Sequence, residues 1–494
     1  YALSNIGYGW WPLVFVFLIP LWATLDTARA SIKHSALLGF LFGLSAFVIG
    51  YPWLLALTED FIGGGLALGL ILWGLLGIWF AAGFAVYAML YRALCRAKLP
   101  HIIAGTVPLI LVEWLQPNLF PSYAGAALIS EPLLAQSADL GGPLLLSALV
   151  TLVNSCVYLI YLAIKKQKHS QLIKPVVSLV VIISMTLIYG YQQSSVQQSK
   201  EPAKEPKALR IAAIQSNLVK LEKDELSLKS HKAHLEQSRA LLAQNPVDLL
   251  IWPETAYVRG LRRPLPIDAQ SIRADIKVPL LFGGTSVWQQ DGQRVNANSV
   301  FLSDKEGLIS QVYDKNQLIP FAEYLPFSES LTFSEYFPFS LLKENHLLAN
   351  FIKETIETLF PQHQSFRPGT SKKALKLNSQ SASSPISIST PICYEIIHPE
   401  FIRDMVKESR PELIITLAND AWFGDTQEPW IHLSLARLRA IEHRLWVVRA
   451  TNSGISAVID PSGRLIARTS LHTKENLLAE VYPRPSFTFY AQYG

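Results

Sequence analysis

Three residue types able to do nucleophilic chemistry stand at the ends of strand-like runs. Ile386-Ser387-Ile388-Ser389-Thr390 leads through Pro391-Ile392 to Cys393 and then to a polar elbow, Tyr394-Glu395. Upstream, Trp252-Pro253-Glu254 and Tyr313-Asp314-Lys315 each close an apolar run of their own. A carboxylate, an amine and a thiol delivered at strand ends can form a nucleophilic site. A lone cysteine in an apolar run is more often a packed core residue. The surrounding chain therefore has to decide between the two.

The elements that must position these side chains alternate. Leu209–Ile214 and Val247–Trp252 read as strands on either side of a helix at Glu225–Ala243. Further strands are expected at Pro279–Phe282, Ser299–Leu302, Ile309–Tyr313, Ile386–Ile392, Leu413–Leu417, Trp446–Ala450, Ala457–Ile459 and Leu478–Val481, with helices near 399–408 and 430–444. Strands interleaved with helices indicate a layered α/β domain. No Rossmann glycine pattern, P-loop, G-x-S-x-G or H-E-x-x-H occurs. Residues 318–362 interrupt the pattern with Phe321, Tyr324, Phe327, Phe333, Tyr336, Phe337 and Phe339. These aromatics either cover the domain's own core or form an arm that dips into a membrane. Residues 371–384 read as a flexible loop.

The first part of the chain is different. The mean hydropathy of +0.25 is high for a soluble protein, and the excess lies in residues 8–190. About six apolar spans are expected there, at 10–25, 36–57, 62–91, 101–117, 140–164 and 172–190, against the roughly 20 helical residues that a bilayer core needs. The third is long enough for one tilted span or for a span plus a re-entrant piece. Basic residues fall in alternate connections: Arg29 and Lys33, then Arg92, Arg96 and Lys98, then Lys165, Lys166, Lys168 and Lys174. Thr58-Glu59-Asp60 and residues 118–139 contain none. This alternation is the positive-inside signature and sets the region after residue 190 on the outer side of the membrane. The net charge of +5 is small and dispersed, which argues against a nucleic-acid partner. Three cysteines in 494 residues, Cys95, Cys156 and Cys393, have no zinc or disulfide spacing. His398, His432 and His443 show no ligand spacing either, and surface or capping roles fit them better than a metal. The domain reading is a transmembrane helical domain at 1–190, a polar linker at 191–207, an α/β domain at 208–483 and a tail at 484–494.

The order Glu254, Lys315, Cys393 resembles the nitrilase superfamily, whose αββα sandwich carries a Glu–Lys–Cys triad. The likeness extends to Ile251-Trp252-Pro253-Glu254, to Asp314–Tyr324, to Ile392-Cys393-Tyr394-Glu395, to Asn419-Asp420-Ala421-Trp422-Phe423-Gly424 and to Thr451-Asn452-Ser453-Gly454-Ile455-Ser456. Together these resemble the bacterial apolipoprotein N-acyltransferases, the membrane-bound branch of that superfamily. The resemblance covers essentially the whole chain. It implies a polytopic α-helical membrane domain plus a nitrilase-like αββα sandwich at 208–483. Since that family has eight transmembrane helices with the catalytic domain before the last, one further span is expected before Tyr1 and one after the 484–494 approach. The chain departs from the family pattern Lys-x-His-Leu-Val-Pro-Phe-Gly-Glu at Gln317 and Ala322, and lacks a tryptophan in the segment after Asn217.

Acyl transfer would give each residue a task. Cys393 must become a thiolate to attack an ester, Glu254 can take its proton and return it to the leaving alcohol, and Lys315 stabilises the oxyanion. Glu323 and Glu395 correspond to family positions near the site and either assist Lys315 and proton transfer or are structural carboxylates. Tyr394 either positions the loop or packs. Asn419 belongs to a turn that shapes the pocket, and Trp422 and Phe423 either line an acyl channel or fill core. The resemblance further implies a phospholipid acyl donor, a diacylglyceryl-modified apolipoprotein acceptor, no cofactor and no metal. It places the chain in the bacterial inner membrane as a multi-pass protein with its catalytic domain facing the periplasm. Two other readings compete: a membrane-tethered nitrilase-type amidohydrolase, and a transporter or scaffold with an inactive outer domain. The fused multi-span region weighs against the first, and the intact Glu–Lys–Cys set against the second. So does the near absence of charge inside the spans, where Glu113 is the main exception.

Overall fold

The computed structural model describes every residue except 5, 28–30, 63–64, 200–207, 219–222, 321, 325–364, 380–383 and 486. Of the aromatic segment, Tyr324 is described, and Phe321, Phe327, Phe333, Tyr336, Phe337 and Phe339 lie outside the described residues. The chain divides into two compact units, Tyr1–Ser199 with Asp425–Ser434, and Lys200–Gly424 with Leu435–Gly494.

The first unit is helical. It contains α1 (Ile19–Thr27), α2 (Ile32–Gly50), α3 (Trp53–Ile62), α4 (Gly65–Arg96), α5 (His101–Leu115), α6 (Pro132–Ala135), α7 (Ala138–Lys165) and α8 (Ile173–Ser199). Among the described residues, α2, α4, α7 and the segment His169–Val196 containing α8 are long and apolar enough to cross a membrane. Trp11–Asp26 and His101–Leu115 are apolar but shorter. The expected single span at 36–57 is broken instead, since α2 ends at Gly50 and α3 restarts at Trp53. Pro52 is the cause, because proline disfavours helical backbone at the residue before it. The third stretch resolves as one continuous helix, α4. Its 32 residues span about 48 Å, more than a hydrocarbon core of about 30 Å. Helix α8 runs on past the apolar stretch to Ser199, so residues 191–199 are helical rather than linker. A Cβ on Gly39 of α2 would stand 2.2 Å from the Phe84 carbonyl oxygen of α4, and one on Gly43 would stand 2.9 Å from the Ala81 Cα. Small residues of this kind let membrane helices approach closely. Large apolar side chains point outward along α4 and α8, including Leu70, Ile71, Leu75, Val177, Val180 and Met185.

The second unit is built on two sheets. Its strands are β1 (Leu209–Gln215), β2 (Leu249–Arg262), β3 (Ile267–Asp268), β4 (Leu280–Gln290), β5 (Gln293–Ser303), β6 (Leu308–Asp314), β7 (Leu375–Leu377), β8 (Ile386–Ser389), β9 (Leu413–Ala418), β10 (Val447–Thr451), β11 (Ala457–Ile459), β12 (Leu465–Arg468) and β13 (Glu475–Val481). One sheet has the order β13-β1-β2-β4-β5-β6-β3, the other β12-β11-β10-β9-β8-β7. Strands β1 and β2 face β9 and β10, the helix α9 (Lys223–Leu242) covers β1 and β2, and the helix at Pro399–Ser409 packs against β8. This is the expected αββα sandwich. Every residue of β8, β9 and β10 is buried, as strands covered on both faces should be. The segment 371–384, expected to be a loop, contributes β7, which pairs antiparallel with β8 through Leu375 and Leu377.

Strands β2 and β4 run unusually close together beside Glu254. A Cβ on Gly283 of β4 would lie 2.6 Å from the Glu254 Cα and 2.7 Å from the Pro253 carbonyl oxygen. Both are backbone atoms and cannot swing aside. Gly283→Ala is expected to push β2 and β4 apart at Glu254 and to cost about 1–3 kcal/mol. A thermal unfolding midpoint unchanged from wild type would contradict this.

Candidate active site

Glu254, Lys315 and Cys393 come from separate parts of the sandwich and meet in its interior. Glu254 lies within β2, Lys315 directly follows β6, and Cys393 follows β8. Strand β8 is extended by a parallel bridge from Ile392 to Leu417 of β9, which carries the chain to the cysteine. Cys393 itself adopts φ +48° and opens a 3-10 turn at Cys393–Ile397. A residue with a Cβ pays roughly 1–3 kcal/mol for such backbone, and here the thiol is thereby turned off the line of the strand. Thr255, next to Glu254, is left-handed too, at φ +56°.

Lys315 is 1% exposed. Its Nζ lies 2.8 Å from Glu323 Oε1 and 3.6 Å from Glu254 Oε1. The Lys315 N–H donates to the Asn298 carbonyl at 2.8 Å, and its own carbonyl accepts from the Gly369 N–H at 2.7 Å. Glu323 is in turn fixed by the Ile319 N–H, which donates to Oε2 at 2.9 Å. Burial works against the ammonium, but Glu323, Glu254 and Cys393 together outweigh it and raise its pKa. Lys315 is a buried cation held charged by its neighbours.

The acidic partner and the thiol are shifted the other way, toward their neutral forms. Burial raises the Glu254 pKa and Glu323 adds to this, against Lys315, the Asn298 amide and a hydrogen bond with Cys393. Burial also pushes the Cys393 thiol well above its ordinary value, with Glu254 and Asp420 adding, against Lys315 and the Asn419 N–H. Burial thus works against the thiolate at Cys393 and increases the basicity of Glu254 beside it.

Glu395 ties two loops together. Its Oε1 accepts from the Asn316 N–H at 2.6 Å and the Gln317 N–H at 3.0 Å, and its Oε2 from the Ile392 N–H at 2.7 Å. The Tyr313 hydroxyl donates to both oxygens. Burial pushes the Glu395 pKa up to about 7, against those backbone amides and Lys315. These hydrogen bonds join the Lys315 loop to the Cys393 loop. The departure at Gln317 leaves this contact untouched, because it is the backbone that donates.

The remaining expected residues divide. Asn419 follows β9, its N–H reaches the Cys393 sulfur, and its Nδ2 lies 3.5 Å from Thr255 Oγ1. Tyr394 is buried and packs edge-on to His398 with ring centroids 4.5 Å apart. Phe423 is buried, whereas Trp422 is 39% exposed. His398, His432 and His443 are all buried rather than at the surface. Asn298 is absent from the expected set. Its Nδ2 donates to Glu254 Oε1 at 2.8 Å and to Glu323 Oε1 at 3.0 Å. The available signal was a polar residue at a buried position of β5, between Ala297 and Ser299, and it is a faint one.

Comparison with known proteins agrees with this architecture. The sequence model of the carbon-nitrogen hydrolase family matches residues 210–484. The model of the apolipoprotein N-acyltransferase N-terminal domain matches residues 1–156. The apolipoprotein N-acyltransferase of Rhodopseudomonas palustris is 31% identical over an alignment that takes in 100% of this chain and 90% of that relative. That of Bradyrhizobium diazoefficiens is 30% identical, covering 100% of this chain and 89% of its own length. Among solved structures, Saccharomyces cerevisiae Nit3, a member of branch 10 of the nitrilase superfamily, is 16% identical. It covers 56% of this chain and 91% of its own, with a TM-score of 0.39. A family match over more than half the length, joined to relatives at 30% identity or above that are matched over 89–90% of their length, means that the chain belongs to the carbon-nitrogen hydrolases and, within them, to the apolipoprotein N-acyltransferase family.

Proposed function

We propose that this protein transfers an acyl chain from a phospholipid, through a thioester on Cys393, to the α-amino group of the diacylglyceryl-cysteine of an apolipoprotein. The observation that carries this reading is the meeting of Glu254, Lys315 and Cys393 in one buried site, on a chain whose full-length relatives bear the name apolipoprotein N-acyltransferase. The long apolar helices support membrane embedding, where both substrates reside. The proposal includes residence in the bacterial inner membrane with the catalytic unit on the periplasmic side, and the alternation of basic connections supports it.

The chemistry follows from the protonation states. Glu254 takes the Sγ proton as sulfur attacks the ester carbonyl, so the thiolate never has to exist alone in a buried site. The carbonyl oxygen becomes an oxyanion, which the Lys315 ammonium stabilises. Collapse breaks the ester C–O bond, and the departing glycerol oxygen takes the proton back from Glu254. The products of this half are lysophospholipid and acyl-Cys393. In the second half the acceptor amine attacks the thioester, Glu254 takes an amine proton, and the C–S bond breaks to give the amide. The thiolate then recovers its proton from Glu254. The acyl group arrives already activated as a thioester, so no nucleotide is consumed.

The test uses the full-length protein in detergent with phospholipid and a diacylglyceryl-cysteine peptide, followed by mass spectrometry of peptide and enzyme. Wild type is expected to gain one acyl mass on Cys393 and pass it to the peptide. Cys393→Ala is expected to lose transfer by on the order of 10³-fold or more. An acyl-enzyme that releases only free fatty acid would make the protein a hydrolase, and a folded enzyme that never carries an acyl group would end the proposal. Acylation of Cys393 is also expected to fall with decreasing pH along a limb centred above 4.5, because Glu254 must be ionised to act and its pKa is raised from that value. Lys315, raised from 10.5, contributes no limb below that pH. A single-turnover pH profile with its acid limb below 4.5 would contradict the assignment of Glu254 as base.

A further inference from the structure

Two carboxylates and two donors form a closed ring at the centre of the site. Lys315 Nζ is 2.8 Å from Glu323 Oε1, which is 3.0 Å from Asn298 Nδ2. Asn298 Nδ2 is 2.8 Å from Glu254 Oε1, which closes the ring to Lys315 Nζ at 3.6 Å. One amide nitrogen thus spends both of its hydrogens on the two carboxylates, while the Asn298 carbonyl takes the Lys315 N–H. The side-chain orientation follows from chemistry. Turned over, the amide would set Oδ1 against two carboxylates and lose both hydrogen bonds. As it stands, the buried Oδ1 has no donor among the described residues, so the side-chain amide is held by the two carboxylates.

We infer that Asn298 is a positioning residue for the proposed reaction, whose amide divides the labour of the two glutamates, holding Glu254 ionised and free to act as base while Glu323 keeps the Lys315 ammonium. The distances carry the division, since the ammonium lies closer to Glu323 and Glu254 needs another donor to stay ionised. Among the described residues, the titratable groups facing Glu254 are Lys315, Glu323 and Cys393. Asp420 acts on Cys393, and Glu395 on the Lys315 loop. Burial and Glu323 favour protonated Glu254, and Lys315, Asn298 and Cys393 oppose it. A neutral donor suits this position. A second cation would fix both carboxylates permanently, whereas an amide supports Glu254 without outcompeting the thiol proton.

The inference rests on the proposed acyltransferase reading, so its test needs no acyl substrate. Alkylation of Cys393 in the full-length protein by iodoacetamide is followed against pH by peptide mass spectrometry, which separates Cys393 from Cys95 and Cys156. Loss of the amide donor in Asn298→Ala is expected to move the acidic midpoint of alkylation to higher pH by about one to two units, the worth of a hydrogen bond to a charged group. Asn298→Asp, similar in shape but a third carboxylate, is expected to move it further in the same direction. It also carries the test if the alanine variant does not fold. A change in rate or unfolding temperature with the midpoint unmoved would make Asn298 merely structural and overturn the inference. A shifted midpoint in a protein that never accepts an acyl chain would leave Asn298 in place and remove the acyltransferase reading instead.

Discussion

A buried ammonium organises the candidate site. Lys315 sits in the interior, where an unpaired charge costs several kcal/mol even after the surroundings relax. It persists because Glu323 and Glu254 flank it, and because each of those carboxylates is held by further donors. Removing Lys315 would leave two buried carboxylates facing each other without a cation, so the arrangement depends on it. The backbone is arranged to serve it. The Lys315 loop is pinned on one side by Asn298 and on the other by the 366–369 segment, whose Gly369 N–H donates to Lys315 and whose Phe366 N–H donates to Glu323. Gly369 has to be glycine here, since a Cβ would stand 2.4 Å from the Asp314 carbonyl oxygen.

The thiol is brought to this charge by a second constraint. Cys393 belongs to the other sheet, and its left-handed backbone would relax if the loop were free. Glu395 prevents that by taking donors from the Cys393 side, at Ile392, and from the Lys315 side, at Asn316 and Gln317. One carboxylate thus ties the loop that carries the thiol to the loop that carries the ammonium. A hydrogen-bond network of this kind rigidifies when every member is satisfied. The strain at Cys393 is offset by bonds made two residues away.

Much of this was legible in the sequence, for identifiable reasons. Glu254, Lys315 and Cys393 stood out because each ends a run of apolar residues with a chemically capable side chain, and strands of that kind are recognisable by composition. The covered strands β9 and β10 read clearly from their continuous apolar runs. Other features left little trace. β7 has only three residues between polar neighbours, and β12 is a half-exposed edge strand of four. The break between α2 and α3 turned on one proline inside an otherwise unbroken apolar stretch. Asn298 was invisible because its role depends on two carboxylates that are 44 and 25 residues away in the chain. Pairings of that range belong to the tertiary fold, and no local pattern announces them.

The ring around Lys315 also has an electrical consequence. When the thiol passes its proton to Glu254, a negative charge moves from oxygen to sulfur and none is created. When the leaving group takes that proton away, the carboxylate regains what the sulfur gave up to the thioester. In the proposed cycle the buried side chains carry the same net charge at rest and as acyl-enzyme. No net charge is added to the interior along that cycle, and the one negative charge passes through the oxyanion beside Lys315. The side chains among which that charge would move are all at most 6% exposed. The ionic strength of the solution outside then has little hold on the bond-making steps.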